Sequence, residues 1–207
     1  MDTTHIPEAA GDPEPGARSA PSGRPPDPAA YRGWPRAAGV GAAAAVATAV
    51  CGIPAGFIWA AVAPRVLVQL IGRGTAAVVN AETSAFIVAD AWFCLIGVAG
   101  GLLTGAVGYR IVARRADVGP AAAAGLILGA LAAAAIARWI GGLDGRAAFL
   151  RQLAVGAPGT RLHQPLTLGA ASALAFWPLA AAFIIVVMEV AARWHAARHR
   201  EPDARPR

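Results

Sequence analysis

The sequence predicts an all-α membrane protein: four transmembrane helices in an antiparallel bundle, two outer loops of about 25 residues each, and polar, disordered tails. Three observations predict it. Four apolar runs each approach or exceed the roughly 20 residues that span a bilayer. Only 14% of the residues are charged, against roughly 25% in soluble domains, and the mean hydropathy is +0.52. The 18 basic residues are all arginine, and they gather at the flanks of the apolar runs.

Residues 1–36 are rich in Pro, Gly, Ala and charge. Such a stretch cannot bury enough apolar surface to offset the entropy of ordering, so a disordered cytoplasmic tail is expected. It does not read as a secretory signal, because the apolar core begins too late and runs too long. Residues 37–192 form the transmembrane domain, and residues 193–207 are a second polar cytoplasmic tail. The helices are expected at about 37–62, 83–113, 120–140 and 166–192. The third is the weakest alone, since alanine inserts marginally and Arg138 lies near its end. Its neighbours support it, because helix hairpins insert together. Asn80, Thr83 or Ser84 caps the second helix, with Glu82 near its first turn. Pro54 and Pro178 are expected to bend the first and fourth.

The outer loops carry local signals of their own. Val66, Val68 and Leu70 alternate, and Gly72-Arg73-Gly74 follows as a turn, so a short hairpin is expected. In the second loop RAAFLRQL reads as an amphipathic turn of helix on the membrane surface, ended by APGT. The two halves share the order helix, outer loop, helix, without enough sequence match to define a repeat.

Arginine placement sets the expected orientation. Twelve arginines flank one side and five the other, which favours both termini in the cytoplasm; the plasma membrane is the expected location. Trp59, Trp92 and Trp139 then mark the outer interface, and Trp34, Tyr109 and Trp194 the inner one.

Small residues recur at spacing four: Gly97, Gly101 and Gly105 in the second segment, Gly125 and Gly129 in the third, Gly52 and Gly56 in the first. In lipid such stripes let helix backbones approach closely. They are read as faces of an intramolecular bundle, with a dimer face or a substrate path as the alternatives.

Asp90 lies inside the second helix rather than at its start, and an intramembrane acid is a functional suspect by default. Its expected partner is Arg138. If the second and third segments pair antiparallel across the short inner loop, the two residues lie about four positions apart in depth, about 6 Å of helix. A fixed arginine partner makes Asp90 a register bridge and argues against proton shuttling. Glu189 and Arg193, at i and i+4, are expected to form a local pair. Cys51 and Cys94 both fall in apolar segments at different depths, which argues for buried thiols and against a disulfide. His195 and His199 have i, i+4 spacing, but no carboxylate or cysteine completes a metal site, and none is expected.

Several function classes lose their support here. With no lysine there is no phosphate-loop or Schiff-base lysine. No Ser/His/Asp order, HExxH or paired carboxylates at plausible spacing occur, so neither an enzyme nor a catalytic residue is expected, and no cofactor. The net charge of +6 reflects cytoplasmic flanks, with no nucleic-acid-binding motif beside it.

With FIWAAVAPR, AETSAFIVADAWF, HQPLTLGA and FWPLAA in view, the chain resembles a family of small actinobacterial integral membrane proteins, a domain of unknown function. Members are sometimes labelled ABC-transporter permeases. The resemblance covers about residues 39–192 and implies a four-helix membrane protein, with no activity, cofactor or site residue to carry over. The short inner loop around ARRADVG argues against an element that docks on an ATPase, without excluding an ATPase partner. The expected function is that of a non-catalytic accessory or scaffold protein whose partners are the lipid bilayer, other membrane proteins or itself. The alternative is a transporter or channel component with Asp90 and Arg138 on its path.

Overall fold

Four stretches of the chain are helical and apolar enough to cross a membrane: Pro35–Val62, Ala85–Ile111, Pro120–Val155 and Ala171–Arg198. The computed structural model describes residues 34–80, 84–112 and 119–198. Residues 1–33 and 199–207 of the expected tails, the inner loop with Arg114 and Arg115, and the capping candidates Glu82 and Thr83 lie outside the described residues, while 34–36 and 193–198, expected as tail, continue the first and last helices.

The first span is two helices, α1 (Trp34–Val50) and α2 (Gly52–Val62), interrupted at Cys51. Pro54 explains the break. Its nitrogen carries no hydrogen for the carbonyl of Val50, four residues back. The next bond, Ala55 N–H to the Cys51 carbonyl, is stretched to 3.4 Å. The second span is α3 (Ala85–Val112), whose first turn closes through Val88 N–H on the Ser84 carbonyl at 2.9 Å. The third is α4 (Gly119–Leu143), followed at once by the short α5 (Arg146–Val155). The fourth differs from expectation. Residues 166–170 are not helical; a 3-10 turn covers Ala171–Ala175, and α6 runs Phe176–Arg198. Pro178 therefore stands in the first turn of α6, where no N–H is required of it.

The helices pair differently from their order in the chain. The α1/α2 span packs along α4, and α3 packs along α6. Both pairs are parallel, because their contacts climb together. A Cβ on Gly41 would lie 2.7 Å from the Ala121 carbonyl oxygen, and one on Gly56 would lie 2.7 Å from that of Ala137. One on Gly129 would lie 2.5 Å from the Ala45 oxygen, and Gly125 sits against the Gly41 backbone. In the other pair, Gly97 and Gly101 meet Trp177, and a Cβ on Gly105 would lie 2.9 Å from the Ala181 oxygen. The expected intimate pairing of the second and third segments is thereby corrected. Without a hydrophobic drive between helices in lipid, the closest approach goes to facing small residues. Those of α4 match those of α1 and α2.

Towards the loop end the bundle closes on a core of Trp59, Phe93, Trp177, Leu166 and several alanines. Trp59 and Phe93 meet edge to face, centroids 5.1 Å apart. Trp59 is only 1% exposed and its indole N–H donates to the Ala89 carbonyl at 2.9 Å. It is a core residue and not the interfacial anchor expected from sequence; Trp92 and Trp139 are exposed.

The two loops at this end fold together. The expected hairpin is present as β1 (Leu67–Gly72) and β2 (Thr75–Val78), turning at Arg73-Gly74. Gly74 has φ +75°, a left-handed conformation that side-chain-bearing residues avoid. A third strand, β3 (Arg161–His163), comes from the second loop and pairs antiparallel with β1, giving the order β2-β1-β3. Val66, Val68 and Leu70 send every second side chain to one face. With Leu162 they form an apolar cluster separate from the bundle core, packed by Phe86 of α3 and Phe149 and Leu153 of α5. The Gly74 N–H also donates to the Leu153 carbonyl at 3.1 Å, tying the hairpin turn to α5.

Candidate functional site at the loop end of the bundle

Asp90 lies in the second turn of α3, half-buried. Its carboxylate accepts the backbone N–H of Gly169 at 3.1 Å and that of Ala170 at 3.0 Å. These are the last two residues before the 3-10 turn that leads into α6. Ala170 is extended, with φ −101° and ψ 107°, and the N–H groups there have no helical partner. Asp90 thus serves as a cap supplied from another helix, close to a helix N-terminus that favours negative charge. Gly169 permits the approach: a Cβ there would lie 3.1 Å from Asp90 Oδ2.

Arg138 is not brought to Asp90. The structure corrects the expected ion pair because α3 packs on α6, so the partners at the depth of Asp90 are backbone amides at the α6 entry. Arg138 instead lines a cavity of about 600 Å³ between the end of α4, α5 and residues 164–168. Arg146 lines it too, with Trp139, Phe149, Leu150, Gln164 and Leu174 among the walls. The irregular wall at 164–168 runs directly into the two residues that Asp90 holds.

Three further polar contacts were not foreseen. Arg65 pairs with Asp144, joining the end of the first span to the end of α4. Its signal was available only to a reader who already knew that these two spans run side by side. At the opposite end Glu189 accepts Arg193 Nε at 2.8 Å, the expected i, i+4 pair, and also the Tyr109 hydroxyl at 2.8 Å. The second bond ties α3 to α6. Trp177 Nε1 adds a longer contact to Thr104 Oγ1, 3.4 Å, midway along the same pair.

A second cavity, about 530 Å³, lies between α1 and the far half of α3, walled by Val40, Thr48, Cys51, Leu103, Val107 and Leu126. Among the described residues Thr48 is the one buried polar side chain. Cys51 is exposed on the bundle surface, its thiol 3.5 Å from the Ala47 carbonyl, and Cys94 is half-buried. A ring nitrogen of His195 lies 2.8 Å from the Ala191 carbonyl; His199 lies outside the described residues. Among the described residues no three His, Cys, Asp or Glu side chains gather as metal ligands.

These features define a multi-pass α-helical membrane protein whose loops form a structured cap with its own apolar core. Comparison of the chain with protein-family models, with curated proteins and with solved structures finds no match.

Proposed function

We propose that this chain is a non-catalytic accessory or scaffold protein of the plasma membrane, with both termini cytoplasmic and the cap displayed outside. The observation that carries the reading is the second apolar cluster, which joins both loops into one folded surface. Loops that merely connect spans have no reason to share a sheet and a core. Ile71 and Val155 are 64% and 80% exposed on that cap, as partner-facing apolar residues would be. The interior supports the same reading. Helix backbones meet through glycine and alanine, and Asp90 accepts two backbone amides, as a structural cap does. The likeness to small actinobacterial membrane proteins of unknown function belongs to this proposal.

Gentle detergent extraction followed by mass spectrometry of co-purifying proteins tests it. Recovery with other envelope proteins, or as copies of itself, is the expected result. A stoichiometric ATPase or a larger permease subunit would overturn it in favour of a transporter component. That second reading draws on the cavity between α1 and α3. Orientation is tested by a cysteine placed at Arg73 in a Cys51→Ala, Cys94→Ala background. Labelling of intact cells by a membrane-impermeant thiol reagent is expected.

A further inference from the structure

The cavity beneath the cap holds two cations and no anion. Arg138 and Arg146 both line it. Among the described residues neither lies within ion-pair distance of a carboxylate, and Asp144, adjacent in sequence to this turn, is engaged by Arg65. Both arginines are exposed, so water solvates them in the free chain, and an anion entering the cavity would meet two cations and no carboxylate. Planar, forked donors match the oxygens of a phosphate. Gln164 adds a polar side chain to the wall.

Depth identifies the source of the anion. Arg138 stands five residues before Leu143, the last residue of α4, so it lies about 8 Å below the helix end. Trp139, 66% exposed, stands beside it where indole rings settle at the level of lipid headgroups. The remaining wall is apolar, formed by Phe149, Leu150 and Leu174, and the cavity volume of about 600 Å³ fits a headgroup with the first part of a chain. We infer that this cavity holds one anionic phospholipid: Arg138 and Arg146 clamp its phosphate, and an acyl chain lies along Trp139, Leu150 and Leu174. The inference goes beyond the scaffold reading and stands whether or not the cap has a protein partner.

Native mass spectrometry of the full chain in mild detergent tests it, with phosphatidylglycerol and phosphatidylcholine of matched chains as probes. One phosphatidylglycerol per chain is expected, retained about tenfold or more over phosphatidylcholine. Arg138→Gln and Arg146→Gln should each reduce that preference several-fold, and Arg193→Gln, on the far end of α6, should leave it intact. Arg146 is exposed at the start of α5, so its variant folds and carries the test even if Arg138→Gln does not. Equal retention of the two lipids, or an undiminished preference in Arg146→Gln, would overturn the inference. So would inorganic phosphate that protects against thermal unfolding as well as phosphatidylglycerol does, since the apolar wall would then have no part.

Discussion

Replacing Asp90 by alanine removes two bonds, at 3.1 and 3.0 Å, from a carboxylate to backbone amides that no helix satisfies. Hydrogen bonds to a charged group contribute about 1.5–3 kcal/mol each, and loss of a helix cap costs about 0.5–2 kcal/mol. Asp90 is half-buried and Gly169 and Ala170 are exposed, so solvent compensates part of the loss and the lower ends apply. Asp90→Ala should therefore cost about 2–3 kcal/mol. Asp90→Asn keeps one oxygen acceptor without the charge and should cost about 1 kcal/mol. Both are read from denaturant or thermal unfolding of the purified chain in mild detergent, followed through tryptophan fluorescence. A double-mutant cycle with Arg138→Gln separates the cap from an ion pair. The cap predicts additivity within about 0.5 kcal/mol. A coupling of about 1 kcal/mol or more, or an Asp90→Ala chain as stable as the parent, would refute the reasoning.

Glycine packing gives a paired prediction. A Cβ on Gly52 would fall 2.8 Å from the Ala133 Cα, so Gly52→Ala must push α2 from α4, at about 1–3 kcal/mol. Gly39 meets nothing within 4 Å, so Gly39→Ala should be neutral or stabilising by up to about 1 kcal/mol in the same melt. Tyr109→Phe removes the hydroxyl from Glu189 and should lower stability by about 1 kcal/mol, while Arg193→Gln, on an exposed pair, should cost less than Tyr109→Phe. The sheet predicts a crosslink. Gln164 N–H bonds the Val66 carbonyl and Leu70 N–H that of Thr160, so Gln69 and Arg161 face each other as a non-hydrogen-bonded pair. Their Cα atoms should lie about 4.5 Å apart, within disulfide range. Cysteines at both positions should join on mild oxidation, seen as a mobility shift; no shift would place β3 elsewhere.

Much of the fold was legible because bilayer length and arginine placement act on whole segments. The four spans, the hairpin turn at Gly74 and the Glu189–Arg193 pair each rest on residues within one stretch of chain. What was missed depended on which span faces which. The short inner loop suggested that α3 and α4 were closest partners, and Asp90 was matched to Arg138 on that assumption. Small residues on four helices offer several pairings, and periodicity alone does not choose among them. Once α3 lies on α6, the placement of Asp90 against Gly169 and of Tyr109 against Glu189 follows. β3 carried almost no signal, being three residues whose pairing with β1 exists only because the loops meet. Trp59 was read by its position near the end of a span, and its buried bond to Ala89 depends on the same unseen packing.

The parallel pairing also has a consequence for how the chain comes to be assembled. Each helix finds its closest partner in the other half of the sequence, roughly 80 positions away, as with Tyr109 and Glu189. A ribosome releases the first pair of spans well before their mates exist. During that interval the glycine faces of α2 and α3 and the carboxylate of Asp90 must wait in lipid or on an insertion chaperone. The molecule therefore cannot mature span by span; it interlocks late, when the last helix arrives. Severed within the inner loop, the two halves should each be orphaned alone and recover only when synthesised together.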